Sequence, residues 1–409
     1  MRRVVVIGAG AAGTMAAIFA AGAGAETVLL ERTRDGGRKI LISGGGRCNV
    51  LPSVLDETRF VTDSSPNTLR KLVRNWPLAE QVAFFEQEVG IALVEEPEAR
   101  KLFPASHKAR DVRDGLLALA RRRGAGIQFD TQVTDVSAAN GGWLVACAGA
   151  PPIEADAVII ATGGLSVPLT GSDGTGLRLL QRLGHTLHPT YAALTPIVAS
   201  PAPHADLAGV SLTVDITATS ASRSATSRGG FLFTHHGYSG PSVLDVSHVV
   251  VRSRAELDAQ PAQLSVRWAP LTDDEWSLRL APRGARTVTG VVRAELPDRL
   301  ADMLIKGARI PSDRLLSELT REERLRLVDM LVRGPLLWTS DEGYRKAEVT
   351  GGGVSLAEVD PRTLQSRLHK GLYLCGEVLD AFGPIGGYNF LWAWATGRAA
   401  GIGAAAAAP

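Results

Sequence analysis

The sequence contains few cysteines, and their positions exclude several kinds of site. Cys48, Cys147 and Cys375 are the only three, and no two of them form a C-x-x-C pair. An odd number cannot pair completely, so the sequence argues against a disulfide framework and against a cysteine zinc site, and it favours a reducing compartment. The eight histidines show no H-E-x-x-H spacing, so no metal site is predicted.

The sequence also has no excess of charge of one sign. Lys and Arg total 44 and Asp and Glu total 42, which gives a formal net charge of +2. This balance excludes a protein that mainly coats nucleic acid, although a local basic patch is compatible with it. Apolar residues make up 45% of the 409 residues, as in a folded protein of two or three domains.

Long apolar runs are missing except for one, between Met1 and Ala25. The run begins with two arginines, as a secretory signal does, and a membrane span is the other alternative. Gly8, Gly10 and Gly13 interrupt it at a spacing that has a function of its own, and its many alanines offer little apolar surface to a bilayer. We therefore predict a soluble, cytoplasmic protein without a membrane segment.

The same run has the pattern of a dinucleotide-binding unit. Residues 3–7 predict a buried strand, residues 8–13 match G-x-G-x-x-G, residues 14–23 predict a helix and residues 27–30 a second strand. The acid after that strand lies 18 residues beyond the last glycine, near the spacing expected for a ribose-binding acid. The alternative is a glycine-rich turn in an ordinary α/β unit. The residues assigned to the dinucleotide are Gly8, Gly10, Ala11, Ala12, Gly13, Glu31, Arg32 and Val133.

Two later strands favour FAD over NAD. Residues 155–161 and residues 371–375 each predict an apolar strand that ends in a glycine turn. In flavoproteins of the glutathione-reductase type such strands flank the FAD, and a late acid, here either Glu377 or Asp380, binds the ribityl chain. Residues 171–176 are glycine-rich without a preceding strand, so we predict a loop there and no separate nicotinamide domain. The residues assigned to FAD in this part are Thr162, Gly163, Gly164, Gly376, Glu377 and Asp380.

Residues 37–49, G-R-K-I-L-I-S-G-G-G-R-C-N, resemble a motif of one bacterial flavoprotein family. The family is called BaiN-like, YhiN-like or aminoacetone-oxidase-type. Similar segments occur between residue 4 and residue 403, namely 103–109, 161–175, 232–244, 347–354, 376–380 and 386–394. The sequence is therefore identified as a member of this family over nearly its whole length.

The resemblance implies an α/β fold with an insertion. We expect an FAD-binding Rossmann-type domain, glutathione-reductase-like, in residues 1–190 and 345–409. Residues 191–344 are expected to form an inserted β-rich, barrel-like subdomain with a small helical subdomain around residues 295–333. Within this helical part, Thr320 can cap a helix whose apolar residues repeat at helical spacing.

The resemblance also places two glycine-rich segments beside the FAD. One of them is the triglycine loop, residues 44–46, whose successive N–H groups can hold an anion. Arg47 is expected to neutralise the pyrophosphate, whereas Arg38 and Lys39 suit either that role or a solvated surface. Residues 386–390 are expected to pass the flavin ring and open a helix there; Phe390 replaces an aliphatic residue of many relatives. The residues assigned to the cofactor here are Arg38, Lys39, Ser43, Gly44, Gly45, Arg47, Cys48, Asn49, Gly386, Gly387, Tyr388, Asn389 and Phe390.

Three residues are candidates for catalysis, and each has an alternative. Cys48 can donate a proton beside the flavin, but a buried free cysteine is more often a small apolar filler. Tyr388 is either a proton donor or a support for the ring, and support is favoured. His235 either acts as an acid or base or lies with His236 in a polar turn.

Three functions are compatible with the resemblance. The favoured one is a reductase: NAD(P)H, as a transient donor, reduces the FAD, which passes hydride to an electron-poor C=C bond of an enone or of uridine in ribosomal RNA. The second is an amine oxidase that O₂ reoxidises. The third is an RNA- or protein-binding protein with structural FAD. The substrate is thus a small molecule or an RNA.

Overall fold

The computed structural model describes residues 1–98, 100–139, 141–255 and 260–406. The chain forms two compact units, Met1–Ala192 with Glu348–Pro409 and Ala193–Ala347. We call them unit 1 and unit 2. Each unit has a hydrophobic core of its own, and no residue belongs to both cores.

The first part of unit 1 alternates strands and helices. Its strands are β1 (Arg3–Ile7), β2 (Glu26–Leu30), β3 (Leu51–Pro52), β4 (Leu93–Glu96), β5 (Lys101–Pro104), β6 (Gly126–Gln128), β7 (Val133–Ala139), β8 (Gly142–Cys147), β9 (Ala150–Ala155), β10 (Ala157–Ile160) and β11 (Leu187–Ala193). Its helices are α1 (Ala11–Gly22), α2 (Arg38–Ile42), α3 (Pro66–Arg74), α4 (Leu78–Ala83), α5 (Ala109–Arg122) and α6 (Thr175–Arg182). The helix predicted from residue 14 thus begins three residues earlier, directly after the N-cap residue Gly10.

Unit 2 combines an antiparallel sheet with helices. Its strands are β12 (Ile197–Val198), β13 (Ser211–Thr219), β14 (Ser224–Thr234), β15 (Gly237–Ser239), β16 (Gln263–Arg267), β17 (Gly334–Leu336) and β18 (Ser340–Asp341). Its helices are α7 (Pro241–Ser253), α8 (Asp273–Arg279), α9 (Val288–Arg293), α10 (Asp298–Gly307) and α11 (Arg321–Arg333). The chain then returns to unit 1 with β19 (Val349–Val354), β20 (Leu372–Leu374) and α12 (Tyr388–Ala406).

The centre of unit 1 is a five-stranded sheet in the order β20-β10-β1-β2-β6. Every neighbouring pair is parallel. Val4, Val5 and Val6 of β1 have no exposed surface, as is usual in a parallel sheet, whose strands are buried on both faces and continuously apolar. The carboxyl ends of β1, β10 and β20 consequently lie side by side, which is where such sheets bind their ligands.

Glycines allow α12 to pack closely on α1. A Cβ atom on Gly397 would overlap the carbonyl oxygen of Ala12, and one on Gly401 would overlap that of Ala16. Because α1 is rich in alanine, its small side chains allow the backbone of α12 to come close. The two helices therefore approach at backbone distance beside β1 and β10, which fixes the start of α1.

The sheet of unit 2 has seven strands in the order β17-β16-β13-β14-β15-β12-β18, and its pairs are antiparallel. Over the described residues the end strands β17 and β18 each pair with one neighbour, so this is an open sheet rather than a closed barrel. The helical part begins at Asp273, earlier than expected. Thr320 caps α11 in a capping box with Glu323, as predicted for its N-cap role.

Candidate functional site

The three glycines of the β1–α1 turn have different surroundings. Gly8 has a φ of 102°, and a Cβ atom there would lie 2.7 Å from the carbonyl oxygen of Ala161. A Cβ atom on Gly13 would overlap the carbonyl oxygen of Gly8, whereas nothing lies within 4 Å of one built on Gly10. Gly8 and Gly13 are thus required by the fold, and Gly10 borders space in front of the helix.

The start of α1 is suited to an anion. No side chain caps this helix, and its first turn, which includes Ala11 and Ala12, contains no acidic residue. The first N–H groups of a helix have no partner within it, and the helix dipole adds partial positive charge at the same end. A pyrophosphate at Gly10 would therefore meet backbone donors directly.

The acid predicted from spacing lies at this turn. Glu31 accepts hydrogen bonds from the backbone N–H of Ala9 at 2.8 Å and of Thr33 at 2.9 Å, and from the Thr33 hydroxyl at 2.7 Å. The residue is 8% exposed. Its neighbour Arg32 pairs with Asp173, and Val133 is buried at the start of β7. The carboxylate of Glu31 is therefore held in one orientation beside the glycine turn.

Two further glycine turns reach the same edge of the sheet. After β10, Thr162 leads into Gly163, and a Cβ atom on Gly164 would overlap Thr350 Oγ1. After β20, a Cβ atom on Gly376 would lie 2.7 Å from Cβ of Ala12 in α1. The fold thus brings together three turns that are distant in sequence.

A half-buried ion pair lies against these turns. Lys39 Nζ is 2.7 Å from Glu377 Oε2 and 2.6 Å from Ser166 Oγ. Glu377 Oε1 accepts from Ser166 Oγ at 2.8 Å and from the backbone N–H of Thr350 at 2.9 Å. Burial alone would raise the pKa of Glu377, but Lys39 and the two hydrogen-bond donors hold it below its ordinary value. Glu377 is therefore a carboxylate at neutral pH.

Asp380, the alternative acid, is occupied elsewhere. Its Oδ2 accepts from the hydroxyls of Thr62 at 2.9 Å and Ser64 at 2.8 Å, and from the N–H groups of Asp63 at 2.9 Å and Ser64 at 2.8 Å. Only 2% of the residue is exposed. Of the two acids, the structure brings Glu377 to the glycine turns, and Asp380 fixes the segment 62–64.

The triglycine loop borders unfilled space at Gly45. Gly44 and Gly45 have φ values of 55° and 67°, and nothing lies within 4 Å of a Cβ atom built on Gly45. Ser43 Oγ donates to the carbonyl of Ile40 at 2.8 Å. Asn49 Oδ1 is buried and has no hydrogen-bond partner among the described residues. A buried polar atom without a partner indicates that a missing group can satisfy it.

The two arginines of this region are paired with carboxylates. Arg38 Nε lies 2.7 Å from Asp35 Oδ1. Arg47 forms an ion pair with Glu96, and its guanidinium lies 4.4 Å from the centre of the Phe103 ring. The expected role of Arg47 at the pyrophosphate has no support in this geometry, because a protein carboxylate already neutralises its charge.

The surroundings of Cys48 and Tyr388, the two candidate catalytic residues of unit 1, favour structural roles. Cys48 is fully buried, and burial raises the pKa of its thiol to about 12 although Ser43 opposes the shift. The Tyr388 hydroxyl donates to the carbonyl of Val54 at 3.3 Å and accepts from the N–H of Asp56 at 3.2 Å. These contacts favour packing for Cys48 and support for Tyr388.

The segment at the start of α12 is held by its own side chains. Asn389 bonds Gly383 through both amide atoms, each at 2.9 Å. Gly386 and Gly387 have φ values of 119° and 92°. Phe390 stacks on Trp394 with ring centres 5.3 Å apart. A rigid glycine turn thus leads into the helix, as the resemblance implies.

The whole chain also matches a known family. The family described as the HI0933-like protein Rossmann domain covers residues 2–403. The chain belongs to this family. The resemblance of the motifs is thereby confirmed, as is the fold class, and the chain is an FAD-dependent oxidoreductase.

Relatives of this HI0933-like protein include enzymes of known activity. A ribosomal RNA dihydrouridine synthase of Escherichia coli is 32% identical over 96% of this chain and 95% of its own. A 3-dehydro-bile acid delta(4,6)-reductase of Clostridium scindens is 30% identical over 99% of both. The solved 3-ketosteroid delta1-dehydrogenase of Sterolibacterium denitrificans has a TM-score of 0.55 at 12% identity over 99% of both chains, so it shares the fold.

The residues of the HI0933-like chain fit FAD. The open space at Gly10 and the uncapped helix suit the pyrophosphate, and the fixed carboxylate of Glu31 suits a ribose. The open side of Gly45 and the unsatisfied Asn49 suit a further part of the same molecule. Among the described residues, no three His, Cys, Asp or Glu side chains are grouped to hold a metal ion. No helix formed by the residues that the structure describes is long and apolar enough to span a membrane.

Two site residues were missed by the sequence analysis. Ser166 and Thr350 contact the predicted set, yet neither stands in a glycine-rich fingerprint of its own. Thr350 precedes a second triglycine run, and that run is a signal that could have identified it. His235 and His236 form the exposed two-residue turn between β14 and β15 in unit 2.

Proposed function

We propose that this enzyme uses NAD(P)H to reduce a carbon–carbon double bond conjugated to a carbonyl group, and that uridine in ribosomal RNA is the substrate. The observation that supports the chemistry is the meeting of three glycine turns, Glu31 and the Lys39–Glu377 pair at one sheet edge. Bound FAD supplies the capacity to accept and donate hydride. Uridine is favoured because relatives in two organisms are named ribosomal RNA dihydrouridine synthases.

The chain's own residues hold the cofactor and its charge in this proposal. The first turn of α1 binds the pyrophosphate, and Glu31 accepts from a ribose hydroxyl. Lys39, fixed by Glu377 and Ser166, presents a cation that favours negative charge on the bound ring system.

An enone of a small molecule is the second candidate substrate. The bile acid reductase relative supports it, since it is similar over the full length of both chains. Uridine and enones share the reacting group, a C=C bond next to a carbonyl, so one site chemistry serves either. A reducing, cytoplasmic compartment with NADPH suits both, and the three free cysteines are compatible with it.

The test begins with an anaerobic titration of the FAD-loaded protein with NADPH, monitored at the visible flavin band. The reduced protein is then mixed with unmodified ribosomal RNA or with 2-cyclohexen-1-one. We expect NADPH to bleach the band and RNA to restore it, with dihydrouridine detected by mass spectrometry. Restoration by the enone alone would favour the second candidate. A band that stays oxidised with NADPH, together with H₂O₂ formation from amines, would contradict the proposal.

A further inference from the structure

One carboxyl group beside the site has no partner. Part of the surface of Glu348 is open to solvent, although protein surrounds its carboxyl group, and its side chain makes no hydrogen bond or ion pair with the described part of the chain. Its backbone carbonyl oxygen lies 3.3 Å from Oγ of Ser166, the hydroxyl that donates to Glu377, which places the backbone of Glu348 beside the Ser166–Glu377 network. It also lies two residues before Thr350, whose side chain packs on Gly164.

The other acids around the glycine turns already have partners. Glu31 and Glu377 each accept three or more hydrogen bonds or ion contacts, and Asp380 accepts four at one oxygen. Asp173 is paired with Arg32. Glu348 is therefore the acid of this region whose carboxyl group is left to act on a ligand.

The charges that act on Glu348 are two lysines. Lys39 of α2 is held by Glu377, and Lys101 of β5 lies against Gly386, where a Cβ atom would be 3.3 Å from its Cε. Both lower the pKa of Glu348, but desolvation by the surrounding protein is the larger effect and raises it. The net result is a pKa above the ordinary value for a glutamate, and the two lysines stabilise the carboxylate once the proton leaves.

Reduction of a conjugated C=C bond needs a proton as well as a hydride. The candidates from sequence are poor donors: Cys48 is sealed in the core, and Tyr388 is held by Val54 and Asp56. We propose that Glu348 is the acid that gives the substrate its proton. This inference rests on the proposed function, since an oxidase would not need such a donor.

The step balances in atoms and electrons. The carbon far from the carbonyl gains hydride, whose electron pair comes from NAD(P)H by way of bound FAD. The carbon next to the carbonyl gains the proton of the Glu348 carboxyl group as the C=C π bond is lost. Glu348 becomes a carboxylate beside Lys39 and Lys101 and recovers a proton from water. The substrate is reduced by two electrons and NAD(P)H is oxidised by two.

The test compares Glu348→Gln with Glu342→Gln, a matched change in unit 2 at a glutamate whose side chain makes no hydrogen bond or ion pair with the described residues. Reduction by NADPH and reoxidation by 2-cyclohexen-1-one or unmodified ribosomal RNA are followed separately by stopped flow. In Glu348→Gln we expect unchanged FAD content and reduction. Reoxidation should slow by about 100-fold or more, the usual contribution of a general acid, and its rate should lose its decline at high pH.

A second readout needs no turnover. The visible band of the oxidised, FAD-loaded protein is titrated with pH, and the shift caused by ionisation of Glu348 should occur in the wild type and Glu342→Gln but not in Glu348→Gln. If Glu348→Gln has the reoxidation rate and pH profile of the wild type, the inference about Glu348 is overturned and the proposed function is not affected. Equal losses in both half-reactions with loss of FAD would overturn it in favour of cofactor binding. A wild type that neither substrate reoxidises would overturn the proposed function as well.

Discussion

At the scale of single residues, the two glycines at positions 10 and 13 have separable roles. We expect Gly10→Ala to weaken FAD binding about tenfold or more, a change of about 1.4 kcal/mol, because its methyl group enters the space in front of α1. The free energy of unfolding of the apoprotein should fall by about 1 kcal/mol or less, the usual cost of a poorer N-cap.

Gly13→Ala serves as the contrasting variant. Its methyl group would overlap the carbonyl oxygen of Gly8, so the apoprotein itself should lose about 1–3 kcal/mol or more. Flavin fluorescence titrations and urea unfolding of the apoproteins measure the two effects. Equal FAD affinity in Gly10→Ala and wild type would contradict the assignment of this turn to the pyrophosphate.

The three cysteines should not react with thiol reagents in the folded protein. All three are buried, and burial raises the pKa of Cys48 to about 12 and raises those of Cys147 and Cys375 above their ordinary value. We expect a thiol reagent at pH 8 to label none of them in the native state and all three after denaturation. Unfolding should also become easier above pH 9.0, the ordinary thiol value, because only the unfolded thiols ionise there. Rapid labelling of Cys48 in the native protein with loss of activity would contradict this.

Residue spacing predicted some of the site and could not predict the rest. Glu31 was found because its distance from the glycine turn is set by one helix and one strand. The choice between Glu377 and Asp380 depended on segments remote in sequence, which contain Lys39 and Ser64. No sequence motif around residue 348 marks Glu348, because an acid without a partner is recognised only when its neighbours in the fold are known.

At the scale of elements, strand positions followed from short β-branched runs, but the packing of α12 did not. This helix is buried on nearly every side, so its apolar pattern does not indicate which face meets α1. The contact is set by Gly397 and Gly401, which are spaced four residues apart and face Ala12 and Ala16. Small residues that serve backbone contact are hard to separate from ordinary helix alanines and glycines in a sequence.

This helix contact yields a prediction. Gly401→Ala should lower the free energy of unfolding by about 1–3 kcal/mol or more, because its methyl group would overlap the carbonyl oxygen of Ala16 and force the two helices apart. Gly126→Ala is the control, since its nearest neighbour would be Thr27 O at 3.8 Å, an ordinary contact. That variant should stay within about 0.5 kcal/mol of wild type in urea unfolding. A stabilised Gly401→Ala protein, as helix propensity alone would give, would contradict the close packing.

At the scale of the whole molecule, the chain leaves unit 1 and returns to it at one place. Strands β11 and β19 are neighbours in a two-stranded sheet. Ser355 N donates to Thr186 O at 3.0 Å, and Gly352 packs on Pro189, so residue numbers rise along one strand as they fall along the other. The end of β11 and the start of β19 are therefore close together, and a short linker can join them.

We expect a variant in which a short Gly-Ser linker replaces residues 194–347 to fold and to bind FAD. Every residue assigned to the cofactor lies in unit 1, and the apolar cores of the two units share no residue. The shortened protein should therefore be yellow, contain about one FAD per chain and be reduced by dithionite. Flavin content after gel filtration decides this point, and a colourless soluble protein would show that unit 1 needs unit 2 to hold its cofactor.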